Sequence, residues 1–516
     1  MLDFGNEIEP DVPLLARKLR EGTASPEDRE RLRPPRANSS PGAAAMHWLR
    51  ALRGHAPLLD LTEKTRLGSA FTFRDTEWGI PASAEGAPLS RSLARGGLSN
   101  VWGAACYPLV ASDYRHWPFR EEELAPHYAS AAKLLGLSEP ADALADVYPI
   151  YGVRSAGLPL NPTSDLLLHH WNTMQSRLRA AGIYFGRARL AVRSEDDGEG
   201  WGCQQCGLCL EGCPYDAIYR SDWTLGELRR SGGFRYRSGF WVQKFFERRE
   251  DVTVEAVVNP SGEALQLRYD ALFLAAGTLS SLRIAAESLG NEGQPLRILD
   301  NDLFLVPLLR TGGKPLEAEP LRFSLNELAL RFEVDGTPIH AQIYSMSGAV
   351  IDRFRPLVDM LPGPLRRSAL SLLARTMLGF IYLPGDRSTQ IEASIVPSSP
   401  VSKVELRQRR SPDSPRIVRR LLGRLYRERR ALGLVPIGPA FRSTPAGHSG
   451  GHLSGGLPMT LDPGPLQTGI DGLLHGAGNV YVTDAAALPH LPAQNSTYTI
   501  MANAQRIASL YLSRKS

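Results

Sequence analysis

Lysine is scarce in this chain. Only seven of its 59 basic residues are lysine, so nearly all the positive charge is arginine. The net charge of +5 is small for 516 residues. Arginine bias together with abundant Ala, Gly and Pro reads as compositional drift, and no basic and aromatic module marks a nucleic-acid binder. No run reaches the roughly 18 uncharged apolar residues of a membrane span. The opening MLDFGNEIEP has neither a positive n-region nor an apolar h-region, so no secretory signal is read and a cytoplasmic location is expected. Internal repeats are missing. So is any G-x-G-x-x-G, the loop that sets a dinucleotide pyrophosphate on a helix N-terminus. What remains is an ordinary globular composition, 43% hydrophobic and 22% charged. The length suits about two to four domains.

Cysteine is nearly confined to one place. Four of the five cysteines, Cys203, Cys206, Cys209 and Cys213, lie in one run followed by Pro214, and Cys106 stands apart. The spacing C-x2-C-x2-C-x3-C-P is the bacterial ferredoxin ligand pattern. It suits an iron–sulfur cluster, [4Fe-4S] or [3Fe-4S], better than a structural zinc, which joins two separated cysteine pairs. An inert or disulfide-closed loop is the plain alternative. In two-cluster ferredoxins the fourth cysteine serves the other cluster, and no second run exists here. Cys213 could fold back, Cys106 could complete the set, or three cysteines could suffice. Reduced thiols in such a motif also fit a reducing compartment.

The first residues read as the end of a buried strand with an acid, Asp3, at its tip. In a dinucleotide-binding βαβ unit the second strand ends this way, and its acid bonds the ribose. On that reading the first strand, glycine loop and helix would lie upstream of Met1. An ordinary edge strand is the alternative.

Residues 12–33 form a charged helical stretch with an N-cap at Ser25 before Pro26. A Pro/Ser/Ala connector follows at 34–45, and a helix is predicted over 120–136. VTVEAVV (252–258) reads as a strand, and ALFLAAGTLSS (271–281) as a buried strand turning through Gly277 into a helix. IHAQIYSM and TQIEASIV are strand-like. Residues 364–383 are apolar with three arginines. Residues 416–430 are a basic amphipathic helix with Ile417, Leu421, Leu422 and Leu425 on one face. Either segment could touch a membrane surface or an acidic partner, but a solvated arginine face over a core stripe is the simpler expectation.

The last 75 residues hold the most specific text. GHSGGHLSGGLPM (447–459) is a glycine-rich loop with His448 and His452. GNVYVTDAAALPHLPAQNSTYTIMANAQRIASLYL (478–512) is a strand ending in Asp484, a Pro-bounded turn, and a helix from about Ser496 with Asn495 at a plausible N-cap. These segments resemble the glucose–methanol–choline (GMC) family of FAD-dependent oxidoreductases. His452 in HLSGGLPM and Asn495 in QNSTYTIMANAQRIA match the family's two active-site positions. Asp484 in VYVTDAAALP matches the aspartate expected to bond the flavin ribityl chain or pyrophosphate. GGLSNVWG (96–103) resembles the flavin-embracing loop, placing Gly97, Ser99 and Asn100 near the isoalloxazine. LFLAAGTLSS resembles the second FAD signature, with Ala276 and Gly277 near the adenosine side, and Val242 matches a position whose backbone faces adenine. MLDFG aligns with the family's second strand, so the absent glycine loop becomes a departure from its pattern. The run CQQCGLCLEGCPYDA also has family counterparts; in some sugar dehydrogenases such cysteines hold an Fe–S cluster, in others none. Asp216 stands where relatives often have Gly.

The resemblance implies an α/β chain, α+β overall. A Rossmann-like FAD-binding domain, discontinuous in sequence (1–111, 222–300 and 445–516), would sit beside an antiparallel-sheet substrate domain (112–221 and 301–444), with the cysteine loop at 200–216. It implies an FAD enzyme that oxidises a CH–OH group of an alcohol or sugar-like substrate. Imidazole suits removal of the hydroxyl proton, because its pKa lies near working pH. A carboxamide cannot take that proton but can hold the alcohol oxygen. His452 is therefore expected as base and Asn495 as orienting group, with His448 and His490 weaker candidates. A lone histidine in such a loop is more often structural; its register with Asn495 and Asp484 argues otherwise. Electrons would leave through the cluster to an acceptor protein or quinone. The alternatives are an O2-using oxidase with structural cysteines, or a truncated, non-catalytic cluster- or partner-binding protein.

Overall fold

The computed structural model describes the chain apart from residues 33–64, 76–82, 85–86, 89–90, 153, 156, 197, 199, 249–250, 292, 294, 313–322, 346–357, 399–401, 410, 438–441, 444–450 and 516. The expected connector at 34–45 and His448 lie outside the described residues.

A seven-stranded antiparallel sheet dominates. Its labelled strands are β1 (Tyr184–Arg187), β2 (Leu303–Arg310), β3 (Leu328–Val334), β4 (Thr337–Ser345), β5 (Thr376–Tyr382) and β6 (Leu434–Pro436), in the order β6-β2-β5-β4-β3-β1. The short strand Arg442–Ser443 pairs with β2 off this path.

Side chains alternate across a pleated strand, so each strand feeds two faces. On one face Phe304, Val306, Leu330, Phe332, Ile343 and Ile381 join a closed apolar core. That core is covered by the helices Pro162–Thr173, through Leu167 and Trp171, and Ser414–Arg427, through Ile417, Val418, Leu421 and Leu425. The basic helix thus buries its apolar stripe and leaves arginine to water. The segment read as one apolar stretch, 364–383, divides into the helix Gly363–Leu373, none of whose residues is fully buried, and the core strand β5.

Through cross-strand pairing the opposite face of the sheet carries Leu303 and Leu305, Arg331, His340, Gln342 and Tyr344, and Leu378, Phe380 and Tyr382. Directly opposed residues share a face, and the pairs Leu303↔Tyr382, His340↔Tyr382 and Gln342↔Phe380 fix this one.

A smaller parallel element pairs Leu272–Leu274 with Val480–Val482. After the first of these strands Gly277 adopts φ +85°, and the helix Thr278–Ser288 begins. The strand Asp251–Val258 lies within a three-stranded antiparallel sheet. Near the N-terminus Leu2 makes a parallel bridge to Arg237, and Asn6 one to Ala94. The charged stretch at 12–33 is two helices, Val12–Arg20 and Pro26–Arg31. Ser25 caps the second through a reciprocal capping box with Asp28. The terminal helix Thr497–Lys515 packs on Glu121–Leu135, where Tyr498 donates to the Tyr128 carbonyl at 2.9 Å. Among the described residues no helix is long and apolar enough to cross a membrane.

Candidate active site

His452 follows the glycine loop and immediately precedes Leu453 and the two-residue strand Ser454–Gly455, which pairs with Leu296–Leu299. Two hydrogen bonds seat this segment. Asp300 Oδ1 accepts from the His452 amide at 3.2 Å, and the Thr278 hydroxyl donates to the Leu453 carbonyl at 2.7 Å. Asn495 approaches from the other side, in the turn before the terminal helix. That turn is held where Gln494 Nε2 donates to Asp113 and to the Pro108 carbonyl. Asn495 is not the cap expected of it. The Ser496 carbonyl accepts the first helical bond, from Ile500, and the Asn495 side chain is engaged elsewhere.

The two side chains meet, with Asn495 Nδ2 at 3.0 Å from His452 Nε2. On the other ring nitrogen, Asn301 Oδ1 lies 2.9 Å from His452 Nδ1. Asn301 has no freedom to flip, because its Nδ2 donates to the Leu383 carbonyl at 2.6 Å and to that of Pro492 at 2.9 Å. Its oxygen must therefore face Nδ1, which must carry the proton. Nε2 is left with a lone pair. The orientation continues outward. Gln342 Nε2 donates to Asn495 Oδ1, and the Tyr344 hydroxyl donates to Gln342 Oε1 at 3.0 Å. Each amide in this chain thus has its oxygen and nitrogen assigned by its partners. Burial drives the His452 pKa down to about 4, so the ring is neutral at ordinary pH.

Asn301, Gln342 and Tyr344 were not anticipated. A signal for two of them was present: in IHAQIYS polar residues alternate with Ile339, Ala341 and Ile343, which read as a core-facing strand. Asn301 had none, since its contacts come from residues more than 80 positions away.

The expected cofactor-binding residues fall into separate groups. Asp484, Ala276 and Gly277 are together. Asp484 Oδ2 accepts from the Gly277 amide at 2.8 Å and from the Ser281 hydroxyl, Oδ1 accepts from Ala486 N at 2.9 Å, and Ala276 N donates to Ser281 Oγ at 3.2 Å. Burial raises the Asp484 pKa against the pull of these bonds. Its carboxylate ties the end of the parallel strand pair to the helix Thr278–Ser288, while Ala275, Ala276 and Gly277 stay exposed. Gly97 (φ +56°), Ser99 and Asn100 form a 3-10 turn. Ser99 Oγ bonds the Gly96 carbonyl and accepts from Ser221 N at 3.0 Å. Asn100 Nδ2 donates to the carbonyls of Arg95 and Gly97, but its Oδ1 is buried without a partner. Val242 lies at a bulge in Phe240–Arg248, and its carbonyl is occupied by Arg283 Nη2 at 2.6 Å. Asp3 accepts from the Tyr236 hydroxyl at 2.8 Å, and burial raises its pKa.

Asn100 also lines a cavity of about 20 Å3 with Ser99, Trp102, Cys209, Cys213 and Arg220. Arg220 Nε and Thr65 Oγ1 border it, both buried and unpartnered. A cavity of this size takes about one water; the orphaned polar atoms beside the 97–100 turn and the open backbone at 275–277 are the groups a polar cofactor such as FAD would engage. The cysteines do not fit a metal in the same way. All are free thiols. Among the described residues no three His, Cys, Asp or Glu side chains converge to hold an ion. Burial raises the pKa of each thiol in the run, and Cys209 is pushed up to about 12. Cys106 is fully buried and apart.

Residues 392–504, which include His452, Asp484 and Asn495, match the family model described as GMC oxidoreductase. This segment is similar to the C-terminal domain of GMC oxidoreductases. The fold agrees along the chain. It is similar to the crystal structure of pyridoxine 4-oxidase from Mesorbium loti, with a TM-score of 0.54 at 14% identity, covering 99% of this chain and 98% of that one. No curated protein sequence matches the chain. The chain shares that mixed architecture, with an antiparallel sheet facing the histidine loop.

Proposed function

We propose that this protein oxidises a CH–OH group of an alcohol or sugar-like substrate with FAD, using His452 as base and Asn495 as the orienting group. One observation carries the reading: Asn301 accepts from Nδ1 and leaves Nε2 of His452 with a lone pair that accepts only from the Asn495 carboxamide. A substrate hydroxyl entering here would replace the Asn495–His452 contact. It would give its proton to Nε2 while its oxygen accepts from Asn495 Nδ2. Oxidation to the carbonyl also removes the carbon-bound hydrogen as hydride, and accepting that hydride is the chemistry FAD supplies when bound. Gln342 and Asn301 hold the two reacting side chains in place, which lowers the entropic cost of alignment. Asp484, Ala276, Gly277, Gly97, Ser99, Asn100, Val242 and Asp3 are the residues proposed to hold FAD.

Mixing the purified flavoprotein with alcohols in the absence of oxygen tests this. A suitable alcohol should bleach the flavin absorbance; retention of the oxidised spectrum with every alcohol and sugar offered refutes the proposal.

An electron relay through an iron–sulfur cluster at Cys203, Cys206, Cys209 and Cys213 is a second reading. It is favoured by the ligand spacing and by Cys209 and Cys213 lining the cavity beside the 97–100 turn. Among the described residues the thiols do not converge on a common point. Iron and sulfide assays on anaerobically purified protein decide it. Flavin without iron would leave the cysteines structural, and the acceptor would then be O2, a partner protein or a quinone.

A further inference from the structure

We infer that the alcohol oxidised at His452 is uncharged and carries its hydroxyl on a flat, apolar body, as in an aryl or allylic primary alcohol, and is not a sugar or polyol. The inference rests on the alcohol-oxidising reading and narrows its substrate. It follows from the sheet face that meets the histidine.

That face has a closed end and an accessible end. At the closed end His340 is completely buried, with Nδ1 at 3.1 Å from the Tyr148 hydroxyl and its ring centroid 4.5 Å from that of Tyr107. Arg331, opposite His340 in the register, is also buried. Tyr107 and Tyr148 wall this end. Toward the other end of β4 and β5, Tyr344 and Phe380 are only half-buried. Substrate would therefore approach past these two rings.

The approach is apolar. The rings of Tyr344 and Phe380 lie 4.6 Å apart at 39°. Tyr382 lies 5.5 Å from the imidazole of His452 at 31°. Leu303, Leu305 and Leu378 fill the positions between them on the same face. The carboxylate on this face, Glu333, lies opposite Pro338, beyond the buried Arg331–His340 pair and at the end away from Tyr344 and Phe380.

Gln342, Tyr344 and Asn301 are already committed, and the unpartnered polar atoms of this face, His340 Nε2 and Arg331 Nε, sit at its closed end. Gln342 uses its nitrogen on Asn495 and its oxygen on Tyr344, and Tyr344 spends its proton on Gln342. Asn301 is saturated by His452 and two carbonyls. A polyhydroxylated substrate brings several hydroxyls out of water, and each left unpaired weakens binding roughly five- to 150-fold. Along the open approach the reacting hydroxyl finds its partners in Nε2 of His452 and Nδ2 of Asn495. An aromatic or unsaturated body instead gains ring contact with Phe380, Tyr344 and Tyr382.

The experiment compares cinnamyl alcohol, 3-methyl-2-butenol, ethanol, glucose and sorbitol. Anaerobic stopped-flow mixing gives the rate and apparent Kd of flavin reduction. Calorimetry of cinnamaldehyde, the oxidised form of the first, measures binding without turnover. The expected order has cinnamyl alcohol at least a hundredfold above glucose and sorbitol in rate over Kd. Phe380→Ala should weaken cinnamaldehyde about tenfold and shrink the preference for cinnamyl alcohol over ethanol by a similar factor. Reduction by glucose or sorbitol at or above the cinnamyl rate overturns the inference while leaving alcohol oxidation intact. If no alcohol reduces the flavin, the oxidation reading fails. Saturable cinnamaldehyde binding weakened by Phe380→Ala then supports an apolar site, and its absence overturns that as well.

Discussion

Around His452 every side-chain amide has its ends assigned by partners, whereas the run Cys203–Cys213 holds four free thiols with no convergent geometry. The contrast inverts what sequence spacing suggests. The cysteines form the tighter pattern along the chain, yet the histidine network, drawn from residues 301, 342, 452 and 495, is the more ordered in space. A short motif keeps ligands close but does not aim them. One strand and three turns anchored to separate elements can aim side chains within about half an ångström.

The largest expected effect is on the histidine side. His452→Ala should slow flavin reduction by about 10²–10⁴-fold, the usual range for lost general-base catalysis, while the protein retains its FAD spectrum. Near-normal reduction would remove His452 from the base role and the contrast with it.

Asn301→Ala comes next. It leaves the buried Nδ1–H and two carbonyls without their partner, a loss of roughly 1–3 kcal/mol per group. Reduction should fall about ten- to a hundredfold, and the acid limb of rate over Kd should move to lower pH, because the imidazolium loses its acceptor. A thermally weakened protein with unchanged rate and pH profile would make Asn301 purely structural.

Acidity supplies a third test. Burial sets His452 at about 4, so the base should stay neutral, and the acid limb of reduction should appear near pH 4 instead of 6.5. His340 and His490 are also lowered by burial, to about 3 and about 4. For all three histidines the unfolded chain takes up the proton first. Stability contributed by keeping them neutral is present above about pH 6.5 and lost as pH falls toward 4. Melting temperatures measured across that window should drop; a flat profile would show that these rings are hydrated.

The smallest expected effect is on the cysteine side. Changing Cys203, Cys206, Cys209 and Cys213 together to Ser should alter the rate of flavin reduction by alcohol no more than about twofold, because none of them joins the histidine hydrogen-bond chain. A hundredfold loss would link the two regions. Titration with a thiol reagent should reach exposed Cys206 first and buried Cys106 last.

Legibility divided along the same line. The stretch Val12–Arg31, the helix Glu121–Leu135, the strands around 254, 341 and 393, and the basic helix Ser414–Arg427 all carry local periodicity or caps. They could be read because the forces that specify them act within a few residues. The division of 364–383 into an exposed helix and a core strand could not, since both halves are apolar and only sheet pairing separates them. Asp484 was legible as an acid at a strand end, but its partners, Gly277 and Ser281, are about 200 residues away.

By itself, the sequence determined the types of side chain available and the family of the C-terminal segment: a histidine after a glycine loop, an asparagine before a helix, a cysteine run. Tertiary structure alone decided which of these became a site. Hydrogen bonds from Asn301 and Gln342 settle the tautomer and the amide orientation, and they depend on where distant turns and one strand place donors and acceptors. Directional bonds act only at contact distance, so no spacing along the chain could have specified them.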